Sequence, residues 1–318
     1  MQTRLLRLGR HTLALVLLVA IALGVPISRA QAQMVDALNR AYKRAADDFK
    51  GYGLDDTKSG DNTVCSIRGA WLIKGDAKIS SPTLTPGIEY VIIAAGNSHI
   101  KNLKLQILDA KKKAIAKEGD EVITESSEDN NAPGCTLMLD KAKYGSKPYT
   151  VGVRMLIEEM ESTDEKNDGW VCYMILQKDA GWEVPLENFE KATAGLQARL
   201  DAMIAAHPNG AEISHDSIPL QGAVLKANEY AMVSTLYPAE KKFRFIAASD
   251  ENTEAISVGL AGNLQAAKDE ELGDMKPKLT YSRGLTISSG ATGTFSVRNK
   301  SKETALVLTV AIRLVDAN

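Results

Sequence analysis

The chain of 318 residues is poor in the side chains that most catalytic and metal chemistry uses, with three cysteines, four histidines and 5% aromatic residues. No CxxC pair and no H-E-x-x-H string occurs, so a zinc site or metallohydrolase centre has no ligand set. The strings G-x-S-x-G, G-x-x-x-x-G-K and G-x-G-x-x-G are missing too, which removes the nucleophile elbow and both phosphate-cradling loops. Positive charge is not in excess, 38 Lys and Arg standing against 40 Asp and Glu. Nucleic-acid binding, which needs a basic stripe, is therefore excluded as an expectation. No apolar run reaches the roughly 20 residues of a membrane-spanning helix. What is there, 44% hydrophobic and 25% charged residues, is the profile of a globular protein with a sizeable core.

Compartment is the first positive signal. Arg4, Arg7 and Arg10 precede an uncharged apolar run over 12–25, which is followed by Pro26 and then Ala30, Gln31 and Ala32. This is the plan of a secretory signal peptide over 1–32, with cleavage after Ala32. As a helix the run rises only about 21 Å, short of the roughly 30 Å hydrocarbon core. No cysteine lies near the cleavage point to carry a lipid anchor. Loss of 1–32 removes four arginines and no acids, leaving 34 basic against 40 acidic side chains and a net charge of −6. The mature chain is thus expected in the periplasm or outside the cell, with no integral membrane segment and no polybasic attraction to anionic lipid. In that oxidising compartment Cys65, Cys135 and Cys172 predict one disulfide and one remaining thiol, the pairing left open.

Two amphipathic helices punctuate the mature chain. Over 34–50, Val35, Leu38, Tyr42, Ala45 and Phe49 recur at spacings of three and four, and after Pro185 the same is true of Leu186, Phe189, Leu196, Leu200 and Met203. The string His207-Pro-Asn-Gly closes the second helix. Each helix precedes a long region of short alternating strands and turns, which predicts a mainly β fold of two tandem antiparallel β-sandwiches, jelly-roll-like, each led by its helix. The boundaries are a helix and linker over 33–63, a first sandwich over 64–179, a connecting helix over 185–210 and a second sandwich over 211–318. First-unit strands are expected near 64–73, 87–95, 101–109, 113–117, 134–139, 148–157 and 170–177. Three segments match in order between the units, 84–96 with 236–249, 102–109 with 255–262 and 149–155 with 308–314, the signature of an internal duplication. The helical stripes also offer an oligomer contact.

The strings LTPGIEYVI at 84–92, LKLQILDA at 103–110, the Asp/Asn-rich loop ending Ala132-Pro-Gly and YTVGV at 149–153 resemble the bacterial pre-peptidase C-terminal type of β-sandwich. The resemblance covers 66–157 and, more faintly, 217–315. It implies an exported, non-catalytic module of the kind appended to secreted enzymes, although no enzyme domain is recognisable here. It is a likeness of strands and turns and brings no site residues with it.

Candidate sites are sparse. Ser98-His-Ile-Lys101 matches the S-x-x-K string of penicillin-recognising enzymes, but it falls in a turn and lacks the K-T-G and S-D-N partners. His99, His207 and His215 have no companion at ligand spacing and read as solvated turn residues. Acids crowd two first-unit loops that strict up-and-down strands bring, with the His99 turn, to one end. Glu125, Glu128, Asp129, Glu161, Asp164 and Asp168 are the candidate ligands for calcium there; solvation of exposed loops is the plainer reading. The second unit repeats the crowding more faintly at Asp250, Glu251 and Glu254, then at Asp269, Glu270, Glu271 and Asp274. Of the three tryptophans, Trp71 and Trp170 fall within strands, whereas Trp182, flanked by Gly181 and Pro185, is the candidate to stack on a ligand such as a sugar ring. The function expected is an exported, non-enzymatic binding or structural protein of the cell envelope, needing no cofactor other than an optional calcium, with an envelope protein or glycan as partner. A calcium-dependent carbohydrate-binding module and an envelope hydrolase are the alternatives.

Overall fold

The computed structural model describes residues 29–59, 62–161, 167–206, 211–212, 219–237, 242–250, 256–261, 265–266, 280–286 and 291–314. The protein is mainly β, and among the described residues its sheets are antiparallel at all but one pairing. Three helices are described: α1 (Arg29–Asp48), α2 (Lys141–Tyr144) and α3 (Leu186–Ala206). Among the described residues no helix is long and apolar enough to cross a membrane.

An eleven-stranded sheet forms the spine. Its centre is the pairing of Ile67–Ile73 with Leu220–Leu225, in which Gly69 meets Leu220, Arg68 meets Gln221 and Ile67 meets Gly222. Outward from that join, the first half runs through Asp168–Lys178, Glu89–Gly96 and Gly134–Met138. The second half runs through Ala305–Leu314, Lys242–Ser249 and Thr280–Thr286. The join is tight around its glycines: a Cβ on Gly69 would stand 3.0 Å from Val171 O, and one on Gly222 3.1 Å from Ile67 Cβ.

Both faces of this sheet are covered, so its strands are apolar almost throughout rather than alternating. Along Asp168–Lys178, Trp170, Cys172, Met174 and Leu176 face the helices, while Val171, Tyr173 and Ile175 face the other way. Helix α1 lies over Asp168–Lys178 and Glu89–Gly96, and α3 over Lys242–Ser249 and Ala305–Leu314. Their core-facing residues are Met34, Ala37, Leu38 and Ala41 on α1, and Phe189, Ala192, Leu196, Leu200 and Met203 on α3. Leu186, counted in the α3 stripe from its spacing, instead faces solvent at the helix start, 57% exposed.

The opposite face carries two cover sheets. The first is ordered Ala77–Ser80, Tyr149–Met160, Ile100–Asp109, Val122–Glu125. The space beneath it is filled by Leu103, Leu105, Ile107, Val151, Val153 and Tyr173 among others, a packed apolar core. The second is ordered Ile256–Ala261, Ala291–Asn299, Tyr230–Tyr237, Asn62–Thr63, Lys58–Ser59. Its last two strands come from the N-terminal segment expected to be a linker: Thr63 pairs in parallel with Ala231. Lys58 Nζ lies 2.7 Å from Glu229, and Lys226 Nζ 2.8 Å from Asp56.

Several expectations are corrected. No strand forms over 113–117; Lys111 and Lys112 take left-handed backbone angles (φ 47° and 62°), which turns the chain and leaves Ile115 exposed, and the strand comes later at Val122–Glu125. Strands Ala77–Ser80 and Thr83–Leu84, not expected, both pair with Tyr149–Met160. The match of 149–155 with 308–314 does not hold in place, since Tyr149–Met160 belongs to a cover sheet and Ala305–Leu314 to the spine. No disulfide forms, and all three cysteines are buried thiols. Cys172 faces the helices and Cys135 the first cover sheet, so the spine itself lies between them. Cys65 packs among Gln221, Ala223, Ala231 and Val297 of the second half.

Candidate functional site

The acidic loops do converge with the His99 turn. Gly96 N donates to Asn131 O at 2.8 Å, Leu103 N to Asn130 O at 2.9 Å and Glu161 N to His99 O at 2.8 Å. Three of the candidate carboxylates, those of Glu125, Glu128 and Asp129, are however engaged by protein donors. Glu125 accepts from Gln106 Nε2 at 2.6 Å with Lys104 Nζ 3.7 Å away. Glu128 accepts from Arg44 Nη2 at 2.6 Å and from Gly134 N at 3.3 Å. Asp129 accepts from Asn102 Nδ2, which also donates to Glu158 at 3.1 Å. Glu161 is exposed, and Asp168 opens the strand Asp168–Lys178 with Oδ1 buried. Asp164, Glu251, Glu254, Asp269, Glu270, Glu271, Asp274, His207 and His215 lie outside the described residues. Among the described residues no three His, Cys, Asp or Glu side chains stand together as a metal site.

The S-x-x-K string is not arranged as a catalytic pair. Ser98 N donates to Asp36 Oδ2 at 2.6 Å, and Lys101 Nζ is held by Glu159 at 2.6 Å, which keeps its ammonium above the usual lysine range. The thiols are no better suited. Burial pushes Cys135 up to about 12 and raises Cys172 further, so neither supplies a thiolate.

Trp182 stands in a different place, on the wall of a groove of about 460 Å³ beside the C-terminal end of α1. Four elements build it. The helix brings Tyr42, Ala45 and Ala46; the turn after it brings Phe49, Lys50 and Tyr52; the spine contributes Met174 and Leu176; the segment before α3 contributes Trp182, Glu183, Val184 and Pro185. The turn needs a left-handed residue at Gly51 (φ 82°), where glycine costs nothing. The segment carrying Trp182 is clamped by its backbone: Leu54 N donates to Trp182 O at 2.9 Å and Trp182 N to Leu54 O at 3.0 Å. Gly181 (φ 77°) makes that clamp fit, since a Cβ there would lie 2.4 Å from Leu54 O.

The hydroxyls of the two tyrosines are tied to protein acceptors. Tyr42 OH donates to Val184 O at 2.7 Å, and burial raises its pKa. Tyr52 OH donates to Glu89 Oε1, which also accepts from Lys178 Nζ at 3.1 Å. The rings brace one another, Tyr42 stacking on Phe189 at 4.2 Å and Phe49 meeting Tyr52 edge-on at 6.0 Å. What faces the groove is therefore ring surface, a thioether and aliphatic carbon, with Lys50 and Glu183 at the mouth. Such a surface can hold an apolar or ring-shaped molecule. Behind the wall, Asp55 is fully buried, its carboxyl pushed up to about 6 by burial and held by Thr57 N at 3.1 Å. Of the groove's residues only Trp182 was picked out as a binding residue from sequence; the others reach one place only through the tertiary fold.

No family model matches this chain, and no curated protein matches it either. Among solved structures it is similar to a conserved protein of unknown function from Pseudomonas aeruginosa, at 7% identity and a TM-score of 0.17, covering 82% of this chain and 89% of that one. The protein YhaK from Escherichia coli is similar at 12% identity and a TM-score of 0.17, covering 77% and 83%. A salicylate 1,2-dioxygenase from Pseudaminobacter salicylatoxidans is similar at 7% identity and a TM-score of 0.15, covering 87% and 82%. At TM-scores this low none of them fixes a shared fold.

Proposed function

We propose that this is an exported, non-catalytic binding protein of the bacterial envelope, and that its aromatic groove takes a small apolar ligand. The observation that carries the reading is the groove itself: rings of Tyr42, Phe49, Tyr52 and Trp182 around about 460 Å³, with the two tyrosine hydroxyls tied to protein acceptors. A surface so lined gains by covering apolar area, at about 25 cal/mol per Å² removed from water.

The same reading takes the chain as two jelly-roll-like sandwich units sharing one spine, of the pre-peptidase C-terminal type, and as the product of duplication. In favour of a duplication, corresponding strands follow the same order outward from the join, Glu89–Gly96 standing where Lys242–Ser249 stands in the other half. Export is supported by α1: Ala32 is exposed and Gln33, the next residue, is buried, so cleavage after Ala32 leaves the described core contacts whole.

The test is a fluorescence titration of residues 33–318 with N-phenyl-1-naphthylamine, a neutral ring probe. Saturable enhancement is expected, weakened by about tenfold or more in Trp182→Ala, as befits loss of a buried aromatic contact. Because the backbone at 182 is clamped by Leu54, the variant keeps the wall in place. Enhancement that does not saturate, or that Trp182→Ala leaves untouched, refutes the reading. Competition by an oligosaccharide but not by an alkane-chain compound shifts the ligand class to glycan.

A further inference from the structure

We propose that the ligand of the aromatic groove is a long unbranched acyl chain, which continues past Tyr42 into a second groove between α1 and α3. This rests on the binding reading above and adds to it a chain length and a further stretch of surface. The second groove, of about 670 Å³, has α1 as one wall, with Val35, Tyr42 and Ala46, and α3 as the other, with Leu186 and Ala194. The two grooves meet on both walls. On α1, Tyr42 and Ala46 line both of them. On the other wall Pro185 lines the first, and Leu186, the next residue, lines the second. Ala46, Pro185 and Leu186 are all exposed, so the way from one groove to the other lies open at the surface. Tyr42, common to both, is held in place by its bond to Val184 O and its stacking on Phe189.

Length decides between a compact ligand and a chain. Together the grooves follow α1 from Val35 to Asp47 and then the turn as far as Tyr52. At about 1.5 Å per residue the helical part alone is about 18 Å long. An extended hydrocarbon chain, with bonds of about 1.5 Å at tetrahedral angles, advances about 1.25 Å per carbon, so about fourteen to sixteen carbons match that run. A single ring would fill the first groove and leave the second bare. The walls agree with a chain. Among the described residues of the helices, Leu186 is the one large apolar side chain left exposed, and a chain lying along the second groove covers it. Exposed charges of both signs line the grooves, Lys43, Asp47 and Glu190 in the second and Lys50 and Glu183 in the first. A mixed set of this kind selects no one headgroup charge, which leaves affinity to the chain. Full burial of a methylene is worth about fourfold in affinity, and half-covering in an open groove about twofold.

Calorimetric titration of residues 33–318 with saturated acids from octanoate to hexadecanoate, each below its micelle concentration, is the measurement, run beside the N-phenyl-1-naphthylamine titration. One acid per chain is expected, with affinity rising about twofold per methylene as far as tetradecanoate. Trp182→Ala is expected to weaken every length. Ala194→Trp, at an exposed position on α3, narrows the second groove and is expected to cut the affinity ratio of hexadecanoate to octanoate by about tenfold. If that variant does not fold, Leu186→Gln, at the exposed start of the helix, is expected to lower the same ratio by about threefold. The two readings fail differently. If the naphthylamine binds saturably and depends on Trp182, yet affinity for the acids stops rising by decanoate or the ratio is untouched in the folded variant, the aromatic groove stands and the acyl proposal falls. If neither the naphthylamine nor any acid binds saturably, both fall. Tight binding of hexadecanoate that Trp182→Ala leaves unchanged puts the chain elsewhere and also overturns the proposal.

Discussion

The acidic end of the first half and the aromatic groove differ in whether their side chains have found partners within the chain. At the acidic end the carboxylates of Glu125, Glu128, Asp129 and Glu159 meet Gln106, Arg44, Asn102 and Lys101, so a patch that is dense in charge is also internally answered. In the groove, hydrogen bonds tie the hydroxyls of Tyr42 and Tyr52 to Val184 and Glu89 and leave ring surface lining an open groove. Density of a residue type is thus a poor guide to a site; what matters is whether the groups have already found their partners.

The comparison can be broken from either side. The largest effect is expected from Phe189→Ala, which removes a fully buried ring stacked on Tyr42: a loss of about 3–5 kcal/mol in denaturant unfolding. A loss under about 1 kcal/mol means that α3 does not hold the groove's helix in place. Next comes Asp55, whose carboxyl sits at about 6 instead of the ordinary 3.8 because it is buried. A raised carboxyl is neutral in the folded protein below that value and costs stability once ionised, so its penalty grows as pH rises from 4 through 6. The gap corresponds to about 3 kcal/mol. Asp55→Asn is expected to be more stable than the parent at pH 8 and to lose that advantage at pH 4, read from unfolding midpoints at both pH values; equal stability at pH 8 refutes the burial account. Smallest is the acidic end, where Asp129→Asn changes an exposed pair and is expected to shift stability by no more than about 0.5 kcal/mol. Since those carboxylates already hold protein donors, calcium followed by a chelator is expected to leave the melting temperature unchanged, and a calcium-dependent rise there would reopen the loops as a metal site.

Much of the fold was legible because periodicity reports burial. Both helices could be read from their three-four spacing, and Glu89–Gly96, Ile100–Asp109 and Tyr149–Met160 from their alternation and flanking turns. Two features misled. Ala114, Ile115 and Ala116 look like strand, yet Lys111 and Lys112 turn the chain first. The cysteines count as a pair and a spare, yet Cys135 and Cys172 face opposite sides of one sheet. Trp182 could be singled out because glycine and proline nearby predicted exposure. The rest of its groove could not, since Tyr42, Tyr52 and Met174 carry the same apolar signal as the core and differ only in which neighbours the fold leaves them.

The parallel pairing of Thr63 with Ala231 also sets an order of events. A chain that emerges N-terminus first presents Asn62–Thr63 long before Tyr230–Tyr237 exists to receive it. Until the later strand arrives the early segment has only its neighbour Lys58–Ser59 to pair with, and such distant closures are slow. Each half then depends on the other to finish. A protease cut between them after folding should leave the pieces held together, whereas the second half made alone should lack an edge of its own sheet.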